Sequence, residues 1–128
     1  MKRLLVAVMM LLPTLSLAHS MSPGFETEYT SDEVMIKTYE LENHYEFPVT
    51  MEVYVLNKDG SPANGWKTEK NTYRITPKSK KRVTVIFKSE GQRKLLVCSK
   101  LIGVGYEENG PSIISIICSR LIINGVSR

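Results

Sequence analysis

The sequence predicts an all-β protein, a single seven-stranded immunoglobulin-like sandwich. Two segments carry an apolar residue at every second position, as expected of strands with one buried face (Val49, Met51, Val53 and Val55; Val83, Val85 and Phe87). Runs of β-forming residues end in turn-forming residues throughout, and no segment shows the sustained periodicity of an amphipathic helix. Many short strands separated by turns in one domain are typical of a sandwich.

The predicted strands are supported by different observations. The first, second and fourth are runs of β-forming residues, the third and fifth show the alternation, and the last two contain the two cysteines. A crossover with Trp66 separates the third strand from the fourth, and the segments 57–62 and 76–79 have turn chemistry. The predicted bounds, in order, are 25–30, 33–43, 48–56, 72–75, 80–88, 93–102 and 112–123.

Residues 1–18 have the features of a secretory signal peptide. A basic start is followed by an apolar run over 4–12 and by a small-residue cleavage signal that ends at Ala18. The apolar run is too short to span a membrane, which takes about 20 residues, and no later stretch qualifies. We therefore expect an exported, periplasmic protein without a membrane span, whose single domain covers 19–128.

The charge of the predicted mature chain is close to balanced. The sequence has 17 Lys and Arg against 13 Asp and Glu. The leader contains Lys2 and Arg3 and no acid, so 15 bases against 13 acids remain, a formal charge of +2. This balance lacks the clustered basic excess of a nucleic-acid-binding protein, and we expect no nucleic-acid partner.

The two cysteines, Cys98 and Cys118, are expected to form a disulfide bond. An even number of cysteines in an oxidising compartment favours a bridge. If the two face each other on adjacent antiparallel strands, their hairpin is centred near Glu108, and 107–111 is a strong turn signal. The Asn-Gly pair lies beyond the midpoint, which favours a longer or bulged loop. Two free thiols are the alternative, and no His or further Cys lies at the spacing of a metal site.

Five segments of the sequence together form a pattern typical of one protein family. They are Leu41-Glu42-Asn43, Phe47-Pro48-Val49, Trp66, Tyr73-Arg74-Ile75-Thr76-Pro77 and Lys81-Arg82-Val83-Thr84-Val85. With these segments, 34–123 resembles the amino-terminal domain of the PapD-like periplasmic pilus-assembly chaperones. The resemblance implies a chaperone that lends a terminal strand with alternating apolar side chains to an incomplete pilus subunit, while two basic residues anchor the terminal carboxylate of that subunit. Such strand addition combines main-chain hydrogen bonds with pockets for alternate side chains.

The sequence also departs from this family. Typical members have a second sandwich domain, whereas this chain ends at Arg128. The segment 21–33 has no Arg or Lys for the basic position near the first strand, and Arg120 is the candidate for the basic position on the last strand. A structural or accessory component of a pilus, secretion or conjugation apparatus is therefore an alternative to a subunit chaperone.

The last hairpin carries the predicted partner-binding residues. With the cysteines paired, Leu95, Val97, Ile113, Ile117 and Leu121 share one face, and the other face carries the cysteines with Lys and Arg. The charges indicate that the cysteine face is the outer one. An exposed apolar strip beside positive charge is typical of a binding surface, and it consists of Leu96, Lys100, Ile114, Ile116 and Arg120. The alternative is that a loop or the segment 20–28 covers the strip.

The sequence gives little support for catalysis or for a cofactor. It contains two histidines and no nucleophile motif, phosphate-binding loop or metal-ligand spacing, so we expect neither an enzyme nor a bound cofactor. The alternative function is copper binding: cleavage after Ala18 makes His19 the first residue, whose amine and imidazole can chelate copper together with His44. The plainer interpretation of His19 is a disordered start. An enzyme inhibitor or small adaptor is a third possibility.

The densest positive cluster is 78–82, with Lys67 and Lys70 upstream. It is interpreted either as a docking site for an acidic protein or an anionic membrane face, or as a solvated turn whose lysines protect an edge strand. Trp66 is interpreted first as a cover for the core or for an edge and second as a surface anchor.

Overall fold

The computed structural model describes residues 19–89, 91–104 and 115–125, apart from the side chain of Val104. All regular secondary structure in these ranges is β-strand. The strands are β1 (His19–Ser22), β2 (Phe25–Thr30), β3 (Val34–Asn43), β4 (Val49–Asn57), β5 (Trp66–Thr68), β6 (Thr72–Ile75), β7 (Lys80–Lys88), β8 (Gln92–Val104) and β9 (Ile116–Gly125).

The predicted fold class is confirmed, but the strand count of seven is wrong, because the described residues already contain nine strands. The two additional strands are β1 and β5, which contain four and three residues. Alternation cannot be recognised in so few residues, and their strand character comes from pairing with β3 and β7. The start of the predicted mature chain is therefore paired rather than disordered.

The strands form two sheets packed face to face. The four-stranded sheet has the order β1-β3-β7-β5, and the five-stranded sheet has the order β2-β9-β8-β4-β6. Every pairing between named strands is antiparallel except that of β2 with β9, which is parallel. The N-terminal segment belongs to both sheets, because β1 pairs with β3 and β2 pairs with β9 after a crossing at Pro23 and Gly24.

The hydrophobic core fills the space between the two sheets. The alternating residues predicted to share buried faces are at most 2% exposed (Val49, Met51, Val53 and Val55; Val83, Val85 and Phe87). Trp66 is half-buried, packs against this core, and donates its indole N–H to the Ala63 carbonyl at 2.9 Å. Its position fits the predicted role of a core cover, with the indole nitrogen satisfied.

Asn43 fixes the end of β3 against the neighbouring turns. Its buried side-chain amide donates to the carbonyls of Phe47 at 2.9 Å and Ile75 at 3.2 Å, and its carbonyl oxygen accepts the Tyr45 N–H at 2.9 Å. A buried amide is stable only when its donors and acceptors are bonded, so this residue joins strands of both sheets at the same end of the sandwich.

A cluster of three charged side chains connects the two sheets near β2. Lys37 of β3 forms salt bridges with Glu26 and with Glu28, the latter at 2.9 Å. Partial burial lowers the pKa of the Lys37 ammonium, because removal from water disfavours the charged form. The carboxylates of β2 face inward at this point and attach β2 to the opposite sheet.

No helix within the described ranges is long and apolar enough to cross a membrane.

Candidate partner-binding surface

The terminal hairpin of β8 and β9 has the register and the disulfide that the sequence predicts. Cys98 lies opposite Cys118, and their sulfur atoms are bonded. Their Cα atoms are 4.0 Å apart, close to the spacing of a pair that exchanges no backbone hydrogen bonds. The predicted turn at 107–111 lies outside the described residues.

The two faces of the hairpin are assigned as predicted. On the inner face Leu95, Val97 and Leu121 are at most 3% exposed, and Ile117 packs against the core from a half-buried position. The outer face carries Leu96, Cys98 and Lys100 opposite Arg120, Cys118 and Ile116, respectively. Charged side chains therefore point to solvent, and the apolar residues beside them are not used by the core.

The predicted strip is partly exposed. The Ile116 side chain is 50% exposed and Arg120 is exposed, whereas Leu96 and Lys100 are half-buried. Ile114, the fifth predicted residue, lies outside the described residues. The structure thus brings four of the predicted residues onto one surface, and the segment 20–28 does not cover Ile116.

The first half of β9 has an open edge. β2 pairs with β9 only from Arg120 to Gly125, and no described strand pairs with 116–119 on the side away from β8. The Arg120 N–H donates to Gly24 on this side, and the Ser115 carbonyl accepts from β8. Because successive residues of a strand alternate in direction, the backbone groups of Ile116 and Cys118 face the open edge.

A groove continues the strip and is lined in part by residues that were not predicted from the sequence. It has a volume of about 360 Å³, and Phe25, Lys58, Lys94, Leu96, Arg120 and Ile122 line it. Lys94 and Ile122 lie two residues from Leu96 and Arg120 along their strands, so strand alternation places them on the same outer face. Phe25 and Lys58 come from β2 and a turn, and only the three-dimensional pairing brings them here.

The surface is electropositive. Lys58, Lys94, Lys100 and Arg120 form no ion pair with any other described residue. The neighbouring Tyr54, opposite Cys98 in the register, has a raised pKa because of burial and, to a smaller extent, the Glu52 charge. An apolar surface with several unpaired cations fits a partner that is apolar and acidic.

The two histidines of the alternative copper site each lie beside a serine hydroxyl. His19 is fully buried, and its Nδ1 lies 3.2 Å from the Ser115 hydroxyl. His44 Nε2 lies 3.2 Å from the Ser20 hydroxyl. Burial lowers the pKa of His19, and the charge of His44 adds to this effect. The described residues contain no group of three or more His, Cys, Asp or Glu side chains that could hold a metal ion.

Solved structures share this fold. A chain of the Salmonella enterica SafA pilin in complex with the SafB chaperone aligns with a TM-score of 0.68 and 15% identity, covering 88% of this chain and 56% of that chain. The E. coli chaperone DraB aligns with a TM-score of 0.67 and 14% identity, covering 84% and 55%. The chain thus spans a little over half the length of these chaperone structures. The resemblance to a PapD-like chaperone domain is confirmed at the level of the fold.

The same fold also occurs outside bacterial chaperones. The PapD-like domain of human CEP192 aligns with a TM-score of 0.67 and 12% identity, covering 91% of this chain and 93% of that domain. No protein-family model and no curated protein matches this sequence. The fold therefore identifies a kind of sandwich, and the function must be argued from the surface.

Proposed function

We propose that this protein is an exported, non-enzymatic domain of the bacterial envelope that binds another envelope or pilus-type protein through the β8–β9 hairpin. The observation that carries the proposal is the open edge of β9 at 116–119 beside an apolar and basic strip. Support for a periplasmic setting comes from similar structures that are periplasmic chaperones, such as SfaE. One similar structure is a complex with a pilin, and another is a complex with a tip adhesion subunit from Acinetobacter baumannii.

The geometry suits addition of a partner strand. The backbone groups of Ile116 and Cys118 are available for main-chain hydrogen bonds, which are the source of affinity in this binding mode. Specificity comes from the outward side chains of Ile116 and Leu96, which offer apolar contact, and from Arg120, which offers a charge at the end of the strip. The Ile116 side chain is 50% exposed, so completing its burial adds about 0.7 to 1.5 kcal/mol, half the value for a fully exposed side chain.

Whether the domain acts as a chaperone or as a structural accessory depends on how long it holds its partner. A chaperone releases a subunit during assembly, whereas an accessory remains in the finished structure. Both roles use the same surface, so the first experiment tests the surface itself.

Site-specific photocrosslinking in living cells provides this test. A photoreactive residue at 116 should give a discrete adduct with one envelope protein, identified by mass spectrometry. The matched control is Ile36, a strand isoleucine of the opposite sheet that is 63% exposed. The same adduct with equal yield at both positions, or no adduct at 116, would contradict the proposal.

A further inference from the structure

A second open edge lies on the opposite sheet, along β7. β5 pairs with β7 only at 85–87, and no described strand pairs with 80–84 on that side. The Lys88 N–H donates to the Gly65 carbonyl at 2.8 Å, which shows that its backbone groups face the β5 side. By alternation along the strand, the N–H and C=O groups of Arg82 and Thr84 face the open edge.

A basic cleft adjoins this edge. It has a volume of about 400 Å³ and runs between β7 and β6, which is the edge strand of the other sheet. Four of its residues are bases, namely Lys70, Arg74, Lys81 and Arg82, and Glu69 is the one acid among its lining residues. None of the four bases forms an ion pair with a described residue.

We propose that this edge binds an extended acidic segment of a partner protein as an additional strand beside β7. Along the open edge, the N–H donors and C=O acceptors of Arg82 and Thr84 follow one another in turn. The backbone of an extended polypeptide has the matching order of acceptors and donors. A phosphate or sulfate group offers acceptors alone and leaves the carbonyl groups unbonded. Carboxylates at alternate positions of the added strand would face the four bases, whose mutual repulsion they relieve.

This second surface is independent of the β8–β9 hairpin, because it belongs to the other sheet and to the opposite edge of the sandwich. The protein would then hold two partners, or two segments of one partner, at the same time. If one of the two surfaces binds no partner, the proposal for the other surface is not affected.

Fluorescence anisotropy with a defined probe tests the charge requirement. The probe is an end-capped ten-residue peptide in which glutamate alternates with threonine. The double variant Arg74→Glu, Lys81→Glu should bind the probe weaker by about tenfold or more, equivalent to about 1.4 kcal/mol. The control Lys67→Glu, Lys88→Glu changes the net charge equally at exposed positions that lie outside both the cleft and the β8–β9 surface, and it should retain most of the binding.

Amide hydrogen exchange with the same peptide tests strand addition. The amides of Arg82 and Thr84 should become protected on binding, and those of Lys81 and Val83, which face β3, should not change. A peptide methylated on alternate backbone nitrogens facing β7 should lose affinity, whereas methylation of the other set should be tolerated.

Three results would overturn the proposal. The first is that the peptide does not bind, in which case the lysines serve to protect an edge strand from aggregation. Alternatively, it binds without protecting Arg82 and Thr84. In the third case, inorganic polyphosphate or vesicles containing phosphatidylglycerol compete fully with the peptide at equal charge concentration, which identifies a non-specific anion surface.

Discussion

The inner and outer faces of the β8–β9 hairpin contain similar apolar residues that serve different purposes. Leu121 and Val97 on the inner face are completely buried, whereas Ile116 on the outer face is half exposed. Ile116 and Ile117 are adjacent and identical in type, yet Ile117 packs against the core. The difference shows that position along the strand decides whether a residue stabilises the fold or remains available to a partner.

The largest effect is expected on the inner face. Leu121→Ala removes a fully buried side chain and should lower the free energy of unfolding by about 2 to 5 kcal/mol. Urea denaturation measures the loss. A change below about 0.5 kcal/mol, the range of surface positions, would break the distinction between the faces.

The disulfide bond joins the two strands from the outer face. Replacing both cysteines by alanine should cost about 3 kcal/mol, since the bond closes a loop of 20 residues and restricts the unfolded chain. The free energy of unfolding is compared between the variant and the wild type, each with and without reductant. The variant should be insensitive to reductant; if reductant destabilises it as much as the wild type, the effect has another cause.

His19 lies on the inner side of β1, next to Ser99 and Ser115, and should make stability depend on pH. Burial lowers its pKa in the folded state below the ordinary value of 6.5, and the charge of His44 contributes in the same direction. Below pH 6.5 the unfolded chain therefore binds the proton more readily, and stability should fall as the pH decreases.

Urea unfolding at about pH 7.5 and about pH 5 measures this dependence. The variant His19→Gln should show a smaller loss than the wild type on acidification. An equal loss in both proteins would show that other groups cause the acid sensitivity and that His19 is not held in its neutral form.

The smallest effect on stability is expected on the outer face. Ile116→Asp should change the free energy of unfolding by no more than about 0.5 kcal/mol, because the side chain is half exposed. The same change should abolish the partner adduct formed by a photoreactive residue at position 100, since a charge enters the apolar strip.

The adjacent variant Ile117→Asp is the matched control and should destabilise the protein much more, because it places a carboxylate against the core. If Ile116→Asp unfolds the protein while Ile117→Asp does not, the two faces are interchanged. Should both variants fold and keep the adduct, the hairpin is not the binding surface.

Much of the fold follows from the sequence, because alternation and turn chemistry are local signals. The strands 72–75 and 80–88 and the cysteine register were predicted correctly. The parallel pairing of β2 with β9 and the short strand β5 were not predicted, since they depend on contacts between distant segments. For the same reason the sequence identified Leu96 and Arg120 as surface residues but not Phe25 or Lys58.

The parallel pairing of β2 with β9 also determines how the sandwich bears mechanical load. Six residue pairs connect the two strands, from Phe25 with Arg120 to Thr30 with Gly125. A force that pulls the start of β2 away from the end of β9 acts along both strands, so these connections are sheared together. The antiparallel hairpin of β8 and β9, pulled from its open end, would instead separate one pair at a time until the disulfide stopped it.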